Sequence, residues 1–168
     1  MRGLRRLDPE RAVQHLPRLY RAARAWSGSR DEADDLVQET YARVLARPRF
    51  LRGRDPLPYL LAALRKVHVN RLRHDGRRPL TVPLSEDRDT AELRSTVDPE
   101  SAVEAHTVYA AISRLADDYR DVLVAVDIAG LSYREAAKAL DIPEGTVMSR
   151  LYRARQQVVQ RVEGSSAA

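Results

Sequence analysis

The sequence has no cysteine, a single phenylalanine, a single tryptophan and no long apolar run. Without cysteine, the chain has no disulfide, no thiolate nucleophile and no cysteine-ligated zinc. No stretch approaches the roughly 18 apolar residues of a membrane span, and the arginine-rich start 1–11 is not followed by the apolar core of a signal peptide. We therefore expect a cytoplasmic protein that takes no part in redox sensing.

Catalytic and metal-binding signatures are also missing. The four histidines, His15, His68, His74 and His106, are scattered along the chain, unlike the close spacing of metal ligands. There is no H-E-x-x-H motif, no glycine-rich phosphate loop and no nucleophile elbow. The sequence therefore predicts that the protein is not an enzyme and that it holds no metal or cofactor.

Charge is distributed unevenly along the chain. Residues 1–78 carry 19 basic and 9 acidic side chains, a net charge of +10, whereas residues 79–112 carry 2 and 7, a net charge of −5. Residues 113–168 are balanced at 8 and 8. A strongly basic segment favours a polyanionic partner, because each neutralised phosphate releases counterions. On charge alone, the simpler alternative is a solvated helical surface.

The predicted secondary structure consists of helices and connecting segments, without a sheet. Glycine and proline number only 7 and 9, and no stretch alternates with period two for long enough to build a sheet. Apolar residues recur at helical spacing over 16–26, from a cap at Ser29 to Pro48, and over 59–74, 100–115 and 118–128. We therefore predict an all-α protein.

The helical pattern is interrupted over residues 79–99. This segment is rich in proline, serine, threonine and acids and lacks periodicity, so it is predicted to be an extended acidic linker. Two small helical domains are therefore expected, at 1–78 and 100–163, with a flexible tail at 164–168.

The helix predicted after Ser29 has two unlike faces. Ser29 and Glu32 fit the S-x-x-E pattern of a capping box. Apolar residues line one face, and the other carries Asp31, Asp34, Asp35, Gln38 and Glu39. An acidic stripe in an otherwise basic domain favours a cationic partner over DNA. The alternative is an ordinary solvated face.

A helix-turn-helix is the most specific pattern in the chain. Ser132 and Glu135 fit a second capping box, which opens a short helix. A turn follows at 141–145, and helical spacing resumes over 146–162. The C-terminal domain is therefore predicted to be a helix-turn-helix of the kind that binds DNA.

Individual positions support this motif. Ala137 is the small residue where the helices cross, and Val147 is the apolar residue ten positions later. Asp141 stands where glycine is more common, and aspartate is one of the few other residues that readily enter the left-handed conformation. The second helix is predicted to project Met148, Ser149, Tyr152 and Arg153 outward, flanked by Arg150 and Arg155. Its arginine and serine side chains can bond base edges or phosphates. The alternative is a helical hairpin with arginines on a solvated face.

The motifs together resemble one family. The stretches 130–140 (GLSYREAAKAL) and 142–155 (IPEGTVMSRLYRAR) resemble the minus-thirty-five-binding domain of extracytoplasmic-function (ECF) sigma factors. The stretch 33–41 (ADDLVQETY) resembles the polymerase-binding helix of that family, and 59–60 and 70–73 extend the match over nearly the whole chain. The resemblance implies a factor that directs core RNA polymerase to promoters, recognises the minus-ten and minus-thirty-five elements and assists strand opening.

The resemblance also implies roles for particular residues. Contacts to the clamp coiled coil of the largest polymerase subunit fall on Asp34, Asp35, Gln38 and Glu39. Binding of the minus-thirty-five element falls on Thr146, Met148, Ser149, Arg150, Tyr152, Arg153 and Arg155. Met148 departs from the Lys or Arg that is common in the family.

For minus-ten DNA the resemblance implies a larger set. It comprises Phe50, Arg52, Arg54, Tyr59, Arg65, Lys66, Asn70 and Arg73. Tyr59 replaces the usual Trp, Lys66 the usual Asn and Asn70 the usual Asp. Phe50 and Lys66 would stack on and bond a base flipped out of the duplex. The alternative for Phe50 is a core anchor for its loop.

The predicted partners are core RNA polymerase and promoter DNA. The family commonly adds an anti-sigma protein, and its acidic linker runs through the RNA exit path of the polymerase. The end at Ala167 and Ala168 is similar to ends recognised by bacterial ATP-dependent proteases, and a frayed tail is the alternative. Two other functional classes remain open on the residues alone: a dimeric helix-turn-helix operator binder and a helical adaptor that binds only protein.

Overall fold

The computed structural model describes residues 4–75 and 99–166, with side chains over 4–74 and 105–164. Most of the predicted linker, 79–98, lies outside these residues. So do Ala167 and Ala168, on which the predicted protease signal rests.

The described residues form two groups of helices. The first contains α1 (Pro9–Val13), α2 (Leu16–Trp26), α3 (Arg30–Leu45) and α4 (Leu57–Asp75). The second contains α5 (Pro99–Ser113), α6 (Asp117–Leu123), α7 (Tyr133–Leu140) and α8 (Glu144–Ser166). The all-α prediction is confirmed.

The core is one connected cluster of buried side chains that extends through both groups. Each fully buried Leu or Val contributes about 1.5–3 kcal/mol relative to exposure. The largest such side chains are Leu19, Leu36, Leu57, Leu60, Leu61 and Leu64 in the first group and Val122, Val124, Val147 and Leu151 in the second.

The cap of α3 differs slightly from the predicted capping box. The backbone N–H of Glu32 donates to Ser29 Oγ at 3.1 Å, as expected. The Glu32 carboxylate accepts from the backbone N–H of Gly28 at 2.8 Å and not from that of Ser29. The helix still begins where the sequence predicts, because one orphan donor at its N-terminus is satisfied by the serine.

The helix-turn-helix is confirmed. Ser132 and Glu135 form a complete capping box at the start of α7. Asp141 ends this helix in the left-handed conformation, with φ 56° and ψ 48°. The backbone N–H of Ile142 then donates to Ala137 O at 3.0 Å, which closes the turn before α8.

Two local features were not predicted. A two-stranded antiparallel ribbon pairs β1 (Arg5–Arg6) with β2 (Phe50–Leu51), and strands of two residues are too short to show any periodicity. The helix predicted over 118–128 ends as α6 at Leu123, and a π-helical turn, Val124–Ile128, follows. There the N–H of Ala129 donates to Val124 O at 2.8 Å, five residues back.

Candidate polymerase and promoter interfaces

The predicted polymerase-binding residues lie along one side of α3. Leu36, Val37 and Thr40 are buried on the opposite side, and Thr40 Oγ1 donates to Leu36 O at 2.7 Å, so the hydroxyl is satisfied within the helix. The acidic face of α3 is left exposed at Asp31, Asp34, Asp35 and Gln38.

Glu39 differs from the rest of the acidic face because it is half-buried and ion-paired. Its carboxylate pairs with Arg43 one turn later on α3. It also accepts from Arg71 Nε on α4 at 2.6 Å, and the Arg71 guanidinium donates to Asp35 O at 3.0 Å. Glu39 therefore joins α3 to α4, in addition to any contact that it makes with a partner.

Four of the predicted minus-ten residues share one face of α4. They are separated by seven, four and three positions, which at 3.6 residues per turn brings them into line. Lys66, Asn70 and Arg73 are exposed, and Tyr59 is half-buried at the start of the row.

Arg65 does not belong to this row. One residue before Lys66, it projects about 100° around the helix, and its Nε donates to Asp121 Oδ2 on α6 at 2.6 Å. The structure thus places this predicted DNA-binding arginine in an ion pair with the second group of helices. Helical phase was the signal in the sequence that separated it from its neighbours.

Phe50 lies on β2 and is 61% exposed. This exposure contradicts the alternative in which Phe50 anchors its loop in the core. Three exposed arginines surround it in sequence, Arg49, Arg52 and Arg54. A free aromatic face with adjacent positive charge is the arrangement that binds an unstacked base and its backbone.

The outer face of α8 carries four of the seven predicted minus-thirty-five residues, and a fifth, Thr146, is half-buried at the start of the helix. Val147, Leu151 and Ala154 are buried against the rest of the second group. Turned away from them, and exposed, are Met148, Ser149, Tyr152 and Arg153. This is the geometry in which the second helix of the motif enters a major groove.

Two arginines of α8 are held by carboxylates. The Arg150 guanidinium pairs with Asp118 on α6 at 2.7 Å. Arg155 donates two hydrogen bonds to Asp127, at 2.7 and 2.9 Å. These bonds raise the pKa of the Arg155 guanidinium above its ordinary value. Arg153 makes no ion pair among the residues that the structure describes.

One residue of this face was missed from the sequence. Gln156 lies one turn after Tyr152, and its Nε2 donates to Tyr152 Oη at 2.9 Å. It therefore orients the exposed ring of Tyr152. The spacing of four residues was the available signal.

Residues 4–75 and 99–166 contain neither a metal-binding cluster nor a membrane-spanning helix. No group of three histidine, aspartate or glutamate residues there is arranged to hold a metal ion. No helix in the same residues is long and apolar enough to cross a membrane.

Family models and curated relatives agree on the family of this chain. Residues 12–78 match the model for sigma-70 region 2, and residues 105–158 match that for sigma-70 region 4. The ECF sigma factor SigC of Mycobacterium tuberculosis is 35% identical over 133 residues, covering 78% of this chain and 70% of that protein. The chain belongs to the ECF group of sigma-70 factors.

Other relatives extend this result. EcfG of Rhodopseudomonas palustris is 34% identical over 145 residues, covering 85% of this chain and 78% of EcfG. SigE of Mycolicibacterium smegmatis is 34% identical over 152 residues and 86% of this chain, but the match spans only 57% of SigE.

A solved structure with the same fold is that of the sigma factor RpoE in complex with the anti-sigma factor NepR from Bartonella quintana. Its TM-score is 0.68 at 24% identity, and the match covers 92% of this chain and 95% of that chain. At this identity, the similarity establishes the fold alone.

In the chain with the sequence above, helices of region 2 pack directly on helices of region 4. Trp26 Nε1 on α2 donates to Asp121 Oδ1 at 2.9 Å, and Arg65 on α4 binds the other oxygen of the same carboxylate. Burial raises the pKa of Asp121, and the charge of Arg65 acts in the opposite direction. Arg24 lies over the ring of Tyr109 on α5, 5.8 Å from its centroid.

Proposed function

We propose that the protein binds core RNA polymerase, directs it to promoters through minus-ten and minus-thirty-five elements, and assists strand opening. The supporting observation is that one chain carries two separate exposed surfaces of different chemistry. The acidic face of α3 suits a cationic protein surface, and the outer face of α8 suits DNA. An operator binder uses only the second surface, and an adaptor uses only the first.

In the proposed minus-thirty-five interaction, α8 lies in the major groove. Arg153 has a free guanidinium for base edges, and arginine bonds guanine O6 and N7 in a bidentate manner. The Ser149 hydroxyl donates to Thr146 O at 3.2 Å and can still accept from a base. Tyr152, oriented by Gln156, supplies an apolar contact. Arg150 and Arg155 are held by carboxylates, so they are assigned to phosphates and not to bases.

In the proposed minus-ten interaction, an extruded base stacks on Phe50. Stacking on an aromatic ring contributes roughly 1–3 kcal/mol, which offsets much of the few kcal/mol needed to unstack the base. Lys66 donates hydrogen bonds but accepts none, so it favours base edges that carry acceptors. Strand opening is then a population shift towards the bound single-stranded form, with no chemical step by this protein.

The proposed regulation and location follow from these partners. A protein that binds polymerase and promoter DNA acts in the bacterial cytoplasm. The solved structure of RpoE holds the anti-sigma factor NepR, and that of CnrH holds the cytosolic domain of CnrY. We propose an anti-sigma protein as a partner of this chain as well.

The first test is co-elution with core polymerase, followed by run-off transcription on genomic fragments. The wild-type protein is expected to form a 1:1 complex and to give discrete transcripts. Reversing two free acids, Asp34→Arg with Asp35→Arg, is expected to abolish the complex while leaving the Glu39 ion pairs intact. Glu10→Arg with Glu163→Arg makes the same charge change elsewhere on the exposed surface and serves as the control.

Two results would contradict the proposal. Co-elution of the Asp34 and Asp35 variant at the wild-type level would show that the acidic face of α3 does not bind core polymerase. A wild-type protein that binds DNA as a dimer and ignores the polymerase would be an operator binder.

A further inference from the structure

The N-terminal segment before α1 is fixed to the body of region 2. Leu7 is buried, and its backbone N–H donates to Arg49 O at 2.7 Å. Asp8 caps α1 by accepting from Glu10 N at 3.0 Å. At the other end of α1, Tyr41 Oη donates to Ala12 O at 2.6 Å. The backbone of this segment is therefore held in a defined position beside β2.

A basic groove runs between this segment and the loop after β2. Its volume is about 340 Å³, and its charged lining residues are one aspartate, Asp8, and four arginines, Arg5, Arg6, Arg11 and Arg54. The four arginines make no ion pair among the described residues, whereas Arg43, Arg65, Arg71, Arg120, Arg150 and Arg155 all do. The basic groove therefore keeps a net positive charge, because four arginines without ion pairs line it beside one aspartate.

The basic groove lies beside the exposed ring of Phe50. In the ribbon, Arg6 pairs directly with Phe50 and Arg5 with Leu51. Directly opposed residues of an antiparallel pair project to the same side, with Cβ atoms about 4.5–5.5 Å apart. The Arg6 side chain is therefore close enough to Phe50 to reach a phosphate next to any base that stacks on that ring.

We propose that Arg5, Arg6 and Arg11, together with Arg54, bind the phosphates of the single DNA strand whose extruded base stacks on Phe50. The inference rests on the proposed function and adds a phosphate-binding site to it. The N-terminal segment would then act with α4: the ring takes the base, the exposed row of α4 borders the duplex, and the basic groove holds the strand as it leaves the ring.

The salt dependence of binding tests this proposal, because each phosphate contact to a single strand changes the slope of log K against log salt by about 0.7. The holoenzyme is titrated with a single-stranded oligonucleotide that carries the non-template minus-ten sequence of a transcribed promoter. Replacing Arg5, Arg6 and Arg11 with alanine is expected to lower the magnitude of the slope by about 2. Replacing them with lysine should keep it within about 0.5 of the wild-type value.

Arg18, Arg21 and Arg114 provide the matched control. All three are exposed and make no ion pair among the described residues, and their replacement with alanine makes the same change in net charge. A slope lowered equally by the control and the groove variant would overturn the proposal, because only total charge would then matter. So would an unchanged slope combined with weaker binding to core polymerase, which would mean that the basic groove contacts an acidic protein surface.

Phe50→Ala separates this inference from the proposed function. If Phe50→Ala weakens oligonucleotide binding while the groove variant leaves the slope unchanged, the minus-ten assignment stands and the phosphate site is overturned. If neither variant changes binding or promoter opening, the minus-ten assignment itself fails, and the phosphate site fails with it.

Discussion

Asp141 adopts a backbone conformation that few side chains tolerate. It is the non-glycine residue with positive φ in the described part of the chain, it is exposed, and no side-chain hydrogen bond is found for it there. Asp141 therefore affects the stability of the turn through its backbone conformation and not through a side-chain contact. A β-branched residue in the left-handed region costs about 1–2 kcal/mol, whereas glycine enters it freely.

We predict that Asp141→Val lowers the free energy of unfolding by about 1–2 kcal/mol in a urea titration. Asp141→Gly should leave it equal or slightly higher. Lys138→Val, an exposed site on the preceding helix, measures the cost of a β-branched side chain without the left-handed backbone. Equal losses for Asp141→Val and Lys138→Val would show that the turn imposes no strain.

His68 stacks on Trp26, the one tryptophan of the sequence, with ring centroids 6.0 Å apart and planes inclined by 17°. Burial lowers the pKa of His68 from its ordinary 6.5, and the charge of Arg120 lowers it further, against smaller opposing effects of Asp121, Asp117 and Glu32. The neutral ring is therefore favoured in the folded protein. Its packing contributes stability that is present above pH 6.5 and is lost as the pH falls through the lowered pKa.

We predict that Trp26 fluorescence is quenched on acidification, with a midpoint below 6.5, because a protonated imidazole in contact with the indole is a quencher. His68→Gln should abolish this titration, and His106→Gln, at an exposed site, should leave it unchanged. A midpoint at or above 6.5 would mean that the His68 ring is solvated and not stacked.

At the scale of elements, the sequence predicts helices well where capping and periodicity agree. The helix predicted over 16–26 has these bounds in the structure, as α2 (Leu16–Trp26). The capped helices α3 and α7 begin where their serines predict. Each signal is local, because a cap and an apolar stripe are encoded within a few residues.

Features that depend on distant residues were not predictable in the same way. The ribbon joins Arg6 to Phe50, and nothing local marks either strand, so the basic groove escaped sequence analysis. Helical phase separates Arg65 from the exposed row of α4, but its ion-pair partner, Asp121, is 56 residues away in the chain and is not marked by any local pattern. Helical spacing predicted which side chains of α3 and α8 point away from the core, because that depends only on helical phase.

The two arginines at the centre of α8 are expected to act differently on DNA. Arg153 is exposed and unpaired among the described residues, so Arg153→Ala should cost about 1–3 kcal/mol of binding and relax the sequence preference. Arg155 is held by Asp127, so Arg155→Ala should weaken binding to specific and random DNA alike. Binding curves on both kinds of DNA make the comparison. Equal losses on the two DNAs for Arg153→Ala would exclude base reading by that residue.

At the scale of the whole molecule, the packed arrangement cannot serve both promoter elements at once. Positions minus ten and minus thirty-five are about 25 base pairs apart, or roughly 85 Å of duplex. A helical domain of some 70 residues is roughly 30 Å across. Regions 2 and 4, in contact through Asp121, are therefore too close together to reach both elements, and the proposed promoter binding requires that this contact be broken.

Asp121 is central to the contact between regions 2 and 4, because its carboxylate accepts hydrogen bonds from both Trp26 and Arg65 of region 2. Removing it leaves a guanidinium and an indole N–H without their shared acceptor at the interface, a state that favours separation because both groups then gain water. Asp121→Ala is therefore expected to shift the population towards separated regions. Asp118→Ala is the control, because Asp118 lies on the same helix but pairs with Arg150 within region 4.

The absence of cysteine allows labels at two introduced sites, Arg18→Cys and Gln160→Cys, for energy transfer between the regions. Asp121→Ala should lower the transfer efficiency and change the fluorescence of Trp26, while Asp118→Ala should do neither. In the proposed binding mode only separated regions reach both elements, so a larger separated population should also tighten apparent promoter binding by the holoenzyme or favour its assembly from core polymerase, in proportion to the competent fraction. Arg65→Ala should reproduce the change in energy transfer, and combining it with Asp121→Ala should add little, since both substitutions break the same ion pair. Wild-type energy transfer in Asp121→Ala, at preserved helicity, would show that the contact does not control the separation of the two regions.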